Sequence, residues 1–474
     1  DLGDEGLFPV DPVQRVESLA VVPKAPVDKT FRVFAPDQGL LLPPSLDEWL
    51  PEDHFARFVA DLVDEHLDLS RIHAAFTEGR GGPPYDPRLM VRILVYGYTT
   101  GVRSSRAIER KCVDDVPFRW LAAGAAPDYR AIARFRKRHL SALGHLFVQA
   151  LALCQAAGMA SLGRVALDGT KVRANASKRK AMSYARMTEK EKVLAAEVSA
   201  LLAEVDRIDK AEDAKFGKNR RGDELPAELA RRQTRLEAIR KAKAALQAEA
   251  AEAAREQAER RARERGDDDD TTAGKGEAAA EAATPKPKAQ RNFTDPDSKI
   301  MLTGDGAFHQ CYNAQAVVDA DHQVIVATEI NTNAADVNTL TPMTEQIVTN
   351  TGATPAQVLA DAGYSSTANL QWAAEFTATH ATEFFIAPGR HRRDDPPPVA
   401  PRGPIPADAT AKQRMARKLT TITGQQVYSR RKTIVEPVFG QMATLQNAKH
   451  LLLRGLDQAR GEWLLLATCH NLRK

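Results

Sequence analysis

The chain has 474 residues, 43% of them hydrophobic, and a formal net charge of only +4; it is too long for one ordinary core and apolar enough to build two or three. No apolar run approaches the roughly 18 residues of a membrane span, and the opening DLGDEGLFPVDPVQ lacks the charged-then-apolar order of a signal peptide. Cys112, Cys154, Cys311 and Cys469 include no C-x-x-C pair, which argues against a zinc knuckle or a disulfide framework and for a reducing cytosol.

Residues 1–40 are polar, spotted with proline and without period, and read as a loose arm. A helical domain is expected over 41–160. Phe55, Phe58, Val59, Leu62 and Val63 recur at helical steps, and further helices follow through RLMVRILVYGYTTG and YRAIARFRKRHLSALGHLFVQALALCQAAGM. Basic residues are in surplus here: Arg103, Arg106, Arg110, Lys111, Arg119, Arg130, Arg134, Arg136, Lys137 and Arg138 outnumber Glu109, Asp114, Asp115 and Asp128. Arg130, Arg134 and Arg138 step by four, opposite Ile132, Phe135, Leu143 and Phe147. One face of that helix is therefore basic and the other apolar, which suits either a solvated charged face or, with the arginines of the preceding segment, a nucleic-acid surface.

A short apolar strand, Val165 to Leu167, then ends at Asp168. After residue 182 the composition changes. Leu194, Val198, Leu201, Val205 and Ile208 form one heptad seam, and Leu229, Leu236, Ile239 and Leu246 a second. Over 183–265 this predicts a helical hairpin closed within the chain, with the break at FGKNRRGDELP between its helices. Residues 266–290 are poor in bulky apolar side chains and are expected to be a disordered link. Order resumes over 291–474 with a hairpin in YNAQAVVDADHQVIVATEI, a helix near Asp336, a strand in VLADAGYSS, a helix from Thr367, a strand at EFFIAP, a Pro-rich loop and a last helical block. Together with 161–182 this is the element order of an α/β mixed sheet interrupted after its first strand.

Two apolar strands, in ALDGT and LADAGY, thus deliver aspartates, Asp168 and Asp361, at the ends where open α/β sheets bind ligands. With a third acid from a helix, such a cluster suits two divalent cations and phosphoryl transfer, because Mg²⁺ prefers hard oxygen ligands. Glu436, in RRKTIVEPVFGQ, is the candidate. Competing readings exist for each acid. Asp168 and Asp361 are each followed by residues of a turn; Asp319, Asp321 and Asp336 compete for the second position, although the first two sit in the expected hairpin turn and Asp336 has the setting of a helix N-cap; and Thr433-Ile-Val-Glu436 matches a capping box.

The order of GGPPYDPRLMVRILVYGYTTGVRSSRAIER, PDYRAIARFRKRHL, LDGTKVRANASK, TDPDSKIM, YNAQAVVD, VLADAGYSS, RRKTIVEPVFGQM, LLLRGL and RGEWLLLATCHNL resembles bacterial insertion-sequence transposases of the DDE type. Within these it is most similar to the IS-eleven-eighty-two branch of the IS-four and IS-five group. The resemblance covers almost everything from Phe31 onward. It implies an RNase H-like catalytic domain with a helical N-terminal DNA-binding domain, a triad of Asp168, Asp361 and Glu436, and two Mg²⁺ or Mn²⁺ ions. It also implies double-stranded DNA as partner, both transposon ends and target, a homodimer or larger assembly on that DNA, and a bacterial, nucleoid-associated, cytoplasmic location. Arg103, Arg106, Arg130, Arg134, Arg138, Lys171, Arg173, Lys178, Arg430, Arg431 and Lys432 are the expected DNA contacts. The chain departs from the pattern usual among such proteins at Tyr129 and Ala131, where they usually have His and Thr, and at Ala443, where they usually have lysine. Two alternatives stay open: a metal nuclease of similar fold without strand transfer, and an inactive transposase-derived DNA-binding protein.

Overall fold

Proline and aspartate set the first helix boundaries. In the computed structural model, which describes residues 45–76, 83–216, 227–389, 403–406 and 408–474, α1 (Leu46–Trp49) and α2 (Phe55–Asp61) lead through one wide turn to α3 (Ser70–His73). The loose arm, the break at FGKNRRGDELP and most of the Pro-rich loop lie outside the described residues. At α4 (Pro87–Thr99), Asp86 accepts a hydrogen bond from the Arg88 N–H, and Pro87 fills the first turn, where no donor is needed. Next come α5 (Ser105–Asp114), α6 (Val116–Leu121), α7 (Tyr129–Arg138) and α8 (Leu140–Ala156).

β1 (Arg164–Arg173) runs longer than the expected three-residue strand, so Asp168 lies at its middle rather than at its end. The reason is a change of partner. β7 (Gln357–Ala360) pairs with β1 in parallel only as far as Leu167, opposite Ala360, whereas β5 (Phe308–Asp319) pairs with it antiparallel all the way to Arg173. Beyond β5 lie β4 (Lys299–Leu302) and β6 (Ile325–Asn331), and beyond β7 lies β8 (Glu383–Ile386). This six-stranded mixed sheet, with β7 and β8 parallel to β1 and β5 antiparallel, fits the expected RNase H-like arrangement. Between the later strands stand α12 (Leu340–Thr351) and α13 (Thr367–His380), and α14 (Ala411–Thr420), α15 (Ile422–Ser429), α16 (Arg431–Leu445) and α17 (Leu456–Asn471) close the chain.

Strand alternation builds a core on each face of the sheet. Ala166, Val172, Tyr312, Ala314, Ala316, Val318 and Leu359 turn toward α16, α17 and the N-terminal helices; Val165, Leu167, Val317, Val358 and Ala360 turn toward α12 and α13. The first of these cores is continuous from Leu50 to Leu472, so packing crosses residue 160, the expected limit of the helical domain, without a break. α8 and α17 meet closely at Gly461, where a Cβ would come within 2.2 Å of Leu140.

The insertion leaves and returns through a two-stranded ribbon, β2 (Ala181–Ser183) with β3 (Gln290–Asn292). Between them, α9 (Tyr184–Phe216) and α10 (Ala227–Arg265) bury Met187, Leu194 and Val198 against Leu236, Ile239 and Leu246. Glu191 bonds Arg240 and Lys243, and Glu197 bonds Arg232, so the two helices run antiparallel. The link expected to be disordered is instead largely α11 (Asp269–Ala282), which lies back on α10 at Gly276. Alanine-rich sequence has high helix propensity without bulky side chains, and Asp268 caps the first turn by accepting from Thr271 N–H.

Arg103, expected on a DNA surface, is only 3% exposed and forms a buried ion pair with Glu462 at 3.2 Å. It also donates to the carbonyls of Asn447 and His450, while Glu462 accepts from the N–H groups of Leu452 and Leu453. The pair ties the N-terminal helices to α17, and its sequence setting among other arginines gave no sign of this. Arg103→Ala should therefore cost about 3–5 kcal/mol, because it leaves a buried carboxylate uncompensated; a urea midpoint unchanged from wild type would refute the assignment.

His470, buried in α17, lies 3.0 Å from the Gln323 carbonyl, and burial, with Lys474 and Arg473 nearby, pulls its pKa down to about 4. The unfolded chain takes up this proton first, near an ordinary value of about 6.5. Stability is thus complete above that pH and falls as pH drops toward 4, by roughly 3 kcal/mol from this residue. His470→Gln should flatten the pH dependence of the unfolding midpoint over that window, and an unaltered slope would exclude His470 as its source.

Candidate functional site

β1 pairs with β7 in parallel up to Leu167 opposite Ala360, so Asp168, within β1, and Asp361, just past the end of β7, come close enough for their charges to interact. Each carboxylate is oriented by a local N–H: Asp168 Oδ1 accepts from Gly169 N at 2.8 Å, and Asp361 Oδ1 from Gly363 N at 2.7 Å. The capping reading of Asp361 is therefore also true, and it occupies one of the two oxygens. Burial pushes the Asp168 carboxyl above its ordinary value, and the neighbouring Asp361 charge adds to the rise. Arg431, at the start of α16, opposes both effects through a 2.7 Å bond to Asp168 Oδ2. Burial disfavours the Arg431 charge, yet Asp168, Tyr428 and Asp361 together hold its pKa above the ordinary value.

A third acid lies against the same backbone. Asp336 has the position of a helix cap, but its side chain caps nothing; Oδ1 instead accepts from Asn313 and Gln315, both at 2.7 Å, and from Lys171 at 3.2 Å. Gln315 in turn accepts from Thr339 and from the buried Tyr364 hydroxyl. The network explains the glycine of ALDGT: a Cβ on Gly169 would come within 2.3 Å of Gln315 Nε2 and 2.9 Å of Asp336 Oδ1. Sequence reasoning weighed Asp336 for the second acid position and set it aside as a helix cap, and it missed Gln315 and Asn313. The available signal was YNAQAVV, two amides at alternate positions of an otherwise apolar run.

Glu436 is on the exposed side of α16, five residues after Arg431. It does not form the capping box that Thr433 suggested, because the helix begins at Arg431 and Thr433 Oγ1 donates to the Arg430 carbonyl. Among the described residues no three His, Cys, Asp or Glu side chains are grouped closely enough to hold an ion. The structure therefore brings Asp168 and Asp361 together and leaves Glu436 outside their contacts. Asp319 and Asp321 belong to the β5–β6 turn: Asp319 accepts from Leu162 and Asp321 N–H groups at the opposite end of β1.

The expected DNA contacts divide. Arg106, Arg130 and Arg134 are exposed, with Arg106 and Arg130 lying 4.8 and 5.6 Å from the centre of the Tyr129 ring. Arg138 is exposed but donates to the Ala75 carbonyl and covers Phe76. Lys171 is held by Asp336 and Arg173 by Asp305. Arg430 and Lys432 are exposed on either side of the buried Arg431, and the Lys178 side chain lies outside the described residues.

Residues 44–138 match the family model described as a transposase domain (DUF772), and residues 284–472 match that of the transposase DDE domain. The first match covers most of the N-terminal helices, and the second runs from just before β3 into the end of α17, with Asp361 and Glu436 inside it and Asp168 between the two. No curated protein and no solved structure matches the chain. Among the described residues no helix is long and apolar enough to cross a membrane. The two matched segments, one in the helices and one in the mixed sheet, support an insertion-sequence DDE transposase.

Proposed function

We propose that this chain binds the terminal inverted repeats of its own insertion sequence, hydrolyses a phosphodiester there to free a 3′-hydroxyl, and joins that hydroxyl to target DNA as a homodimer or larger assembly. The observation that carries the reading is the pair Asp168, within β1, and Asp361, just past the end of the parallel β7, each oriented by a backbone N–H. Mg²⁺ is held by one or two carboxylates together with waters and substrate phosphate oxygens, so this donor pair fits a divalent ion. In this reading Glu436 is the third ligand, contributed by the helix that brings Arg431 to Asp168. Two bound Mg²⁺ or Mn²⁺ ions would supply an activated oxygen nucleophile and stabilise the leaving oxygen.

The chain's own residues do the rest. Gly169 and Gly363 N–H groups fix the carboxylates, and Arg431 offsets the charge of Asp168 while the site is empty of DNA. Arg430 and Lys432, exposed beside it, meet backbone phosphates, as do Lys171, Arg173 and Lys178 along the chain from Asp168. Arg106, Arg130, Arg134 and Arg138 grip the end of the element from the helical region. Such contacts position DNA without reading its sequence.

The full chain, incubated with Mg²⁺ and a labelled duplex carrying the element's end and flanking DNA, should give both cleaved ends and joined products. Asp361→Asn should lose several kcal/mol of transition-state stabilisation, roughly a thousandfold or more in cleavage rate, while still binding DNA. Glu436→Gln should fall similarly, and full activity in that variant would remove Glu436 from the site. Cleavage without joining would favour the nuclease, and intact ends bound equally with and without metal would favour the DNA-binding descendant.

A further inference from the structure

A cleft of about 550 Å³ lies beside β1 just beyond Asp168, lined by Lys171 and Arg173 of the strand, Asp305 of the β4–β5 turn, Ala443 of α16, and Lys449. Three cationic side chains thus share one concave surface with a single carboxylate. That carboxylate is placed by its own turn. Asp305 Oδ1 accepts from the Thr303 hydroxyl and the Ala307 N–H, with Gly306 completing the turn at φ 75°, and Oδ2 is left to bond Arg173 at 2.5 Å and to lie 3.3 Å from His309 Nε2. Arg173 and Asp305 side chains are both nearly half exposed, 47% and 45%. An exposed pair of this kind contributes little to stability, so it is readily exchanged for another anion.

We propose that this cleft is a phosphodiester subsite for DNA, formed by Lys171, Arg173 and Lys449, in which the Asp305 carboxylate holds the place of a backbone phosphate until DNA displaces it. The proposal rests on the transposase reading and deepens it: β1 carries the acid Asp168 and, five residues on, the cation that fixes the strand beside it. A carboxylate and a phosphate oxygen compete for the same guanidinium fork, and both make charge-assisted bonds to it. Binding of DNA at Arg173 must therefore displace Asp305 first, which costs affinity while leaving the number of phosphates contacted unchanged. The turn acts as a built-in competitor.

The test is DNA affinity by fluorescence anisotropy, with a labelled duplex in the absence of divalent metal, across a salt series. Asp305→Asn is the informative variant, because asparagine keeps the Oδ1 acceptor used by Thr303 and Ala307 and removes only the charge. It should bind about three- to tenfold more tightly at low salt, with a salt slope close to that of wild type, because the same phosphates are contacted once DNA has displaced the carboxylate. In an Arg173→Ala background the same change should have no effect. Lys449→Ala should weaken binding and reduce the slope. If wild type binds DNA but Asp305→Asn binds no better, or its gain persists without Arg173, the subsite is wrong and the transposase reading stands. If wild type binds no DNA at all, both fall.

Discussion

Two carboxylates held side by side in a partly buried site repel each other, and they are tolerable only with a cation within reach. The sheet imposes this constraint: β1 and β7 run parallel in a fixed register, and the residue after each last pair is an aspartate. Arg431 answers it. A charge-assisted bond of this type is worth roughly 1.5–3 kcal/mol, and it acts at the first residue of α16, where Ile434, Val435, Val438 and Met442 then bury against the same face of the sheet. The helix that carries Glu436 is therefore docked by charge at one end and by apolar packing along its length.

Proline inside α16 shows how closely the surroundings are fitted to that helix. Pro437 has no N–H, so the Thr433 carbonyl four residues earlier loses its helical donor. The side chain of Gln323 donates to that carbonyl at 3.3 Å. Gln323 sits in the β5–β6 turn with a left-handed backbone, and its own carbonyl is the partner of His470. One turn residue thereby joins the interrupted helix to α17.

Much of this was legible in the chain. VLADAGYSS reads as strand, acid and turn because Val358, Leu359 and Ala360 are buried on both faces while Asp361 ends the pairing, and the hairpin in YNAQAVVDADHQVIVATEI follows from its alternation and polar turn. The true length of β1 was hidden because Thr170, Lys171 and Arg173 are polar; only a long antiparallel partner makes them strand. Asp336 looked like a cap because an N-cap and a network acceptor present the same local sequence, and what separates them is Gln315, twenty-one residues away. Arg103 could not be told from its exposed neighbours, since its partner Glu462 is 359 positions distant. α11 was missed for a different reason: low apolar content predicts disorder only when no longer helix is available to lie against.

The β2–β3 ribbon changes what the insertion costs the fold. An unstructured excursion of about a hundred residues between β1 and β5 would impose a closure entropy near 4 kcal/mol by the logarithmic law, against less than 2 kcal/mol for a turn of a few residues. Pairing Ala181 with Asn292 and Ser183 with Gln290 brings the ends of the excursion together, and the helices between them can form from contacts within the arm alone. To the central sheet the arm then behaves as a tight turn, worth some 2–3 kcal/mol on this scale. During synthesis the arm can be complete before β5 leaves the ribosome, so that the strand bearing Asp168 waits beside its partner's point of arrival rather than at the far end of a slack chain.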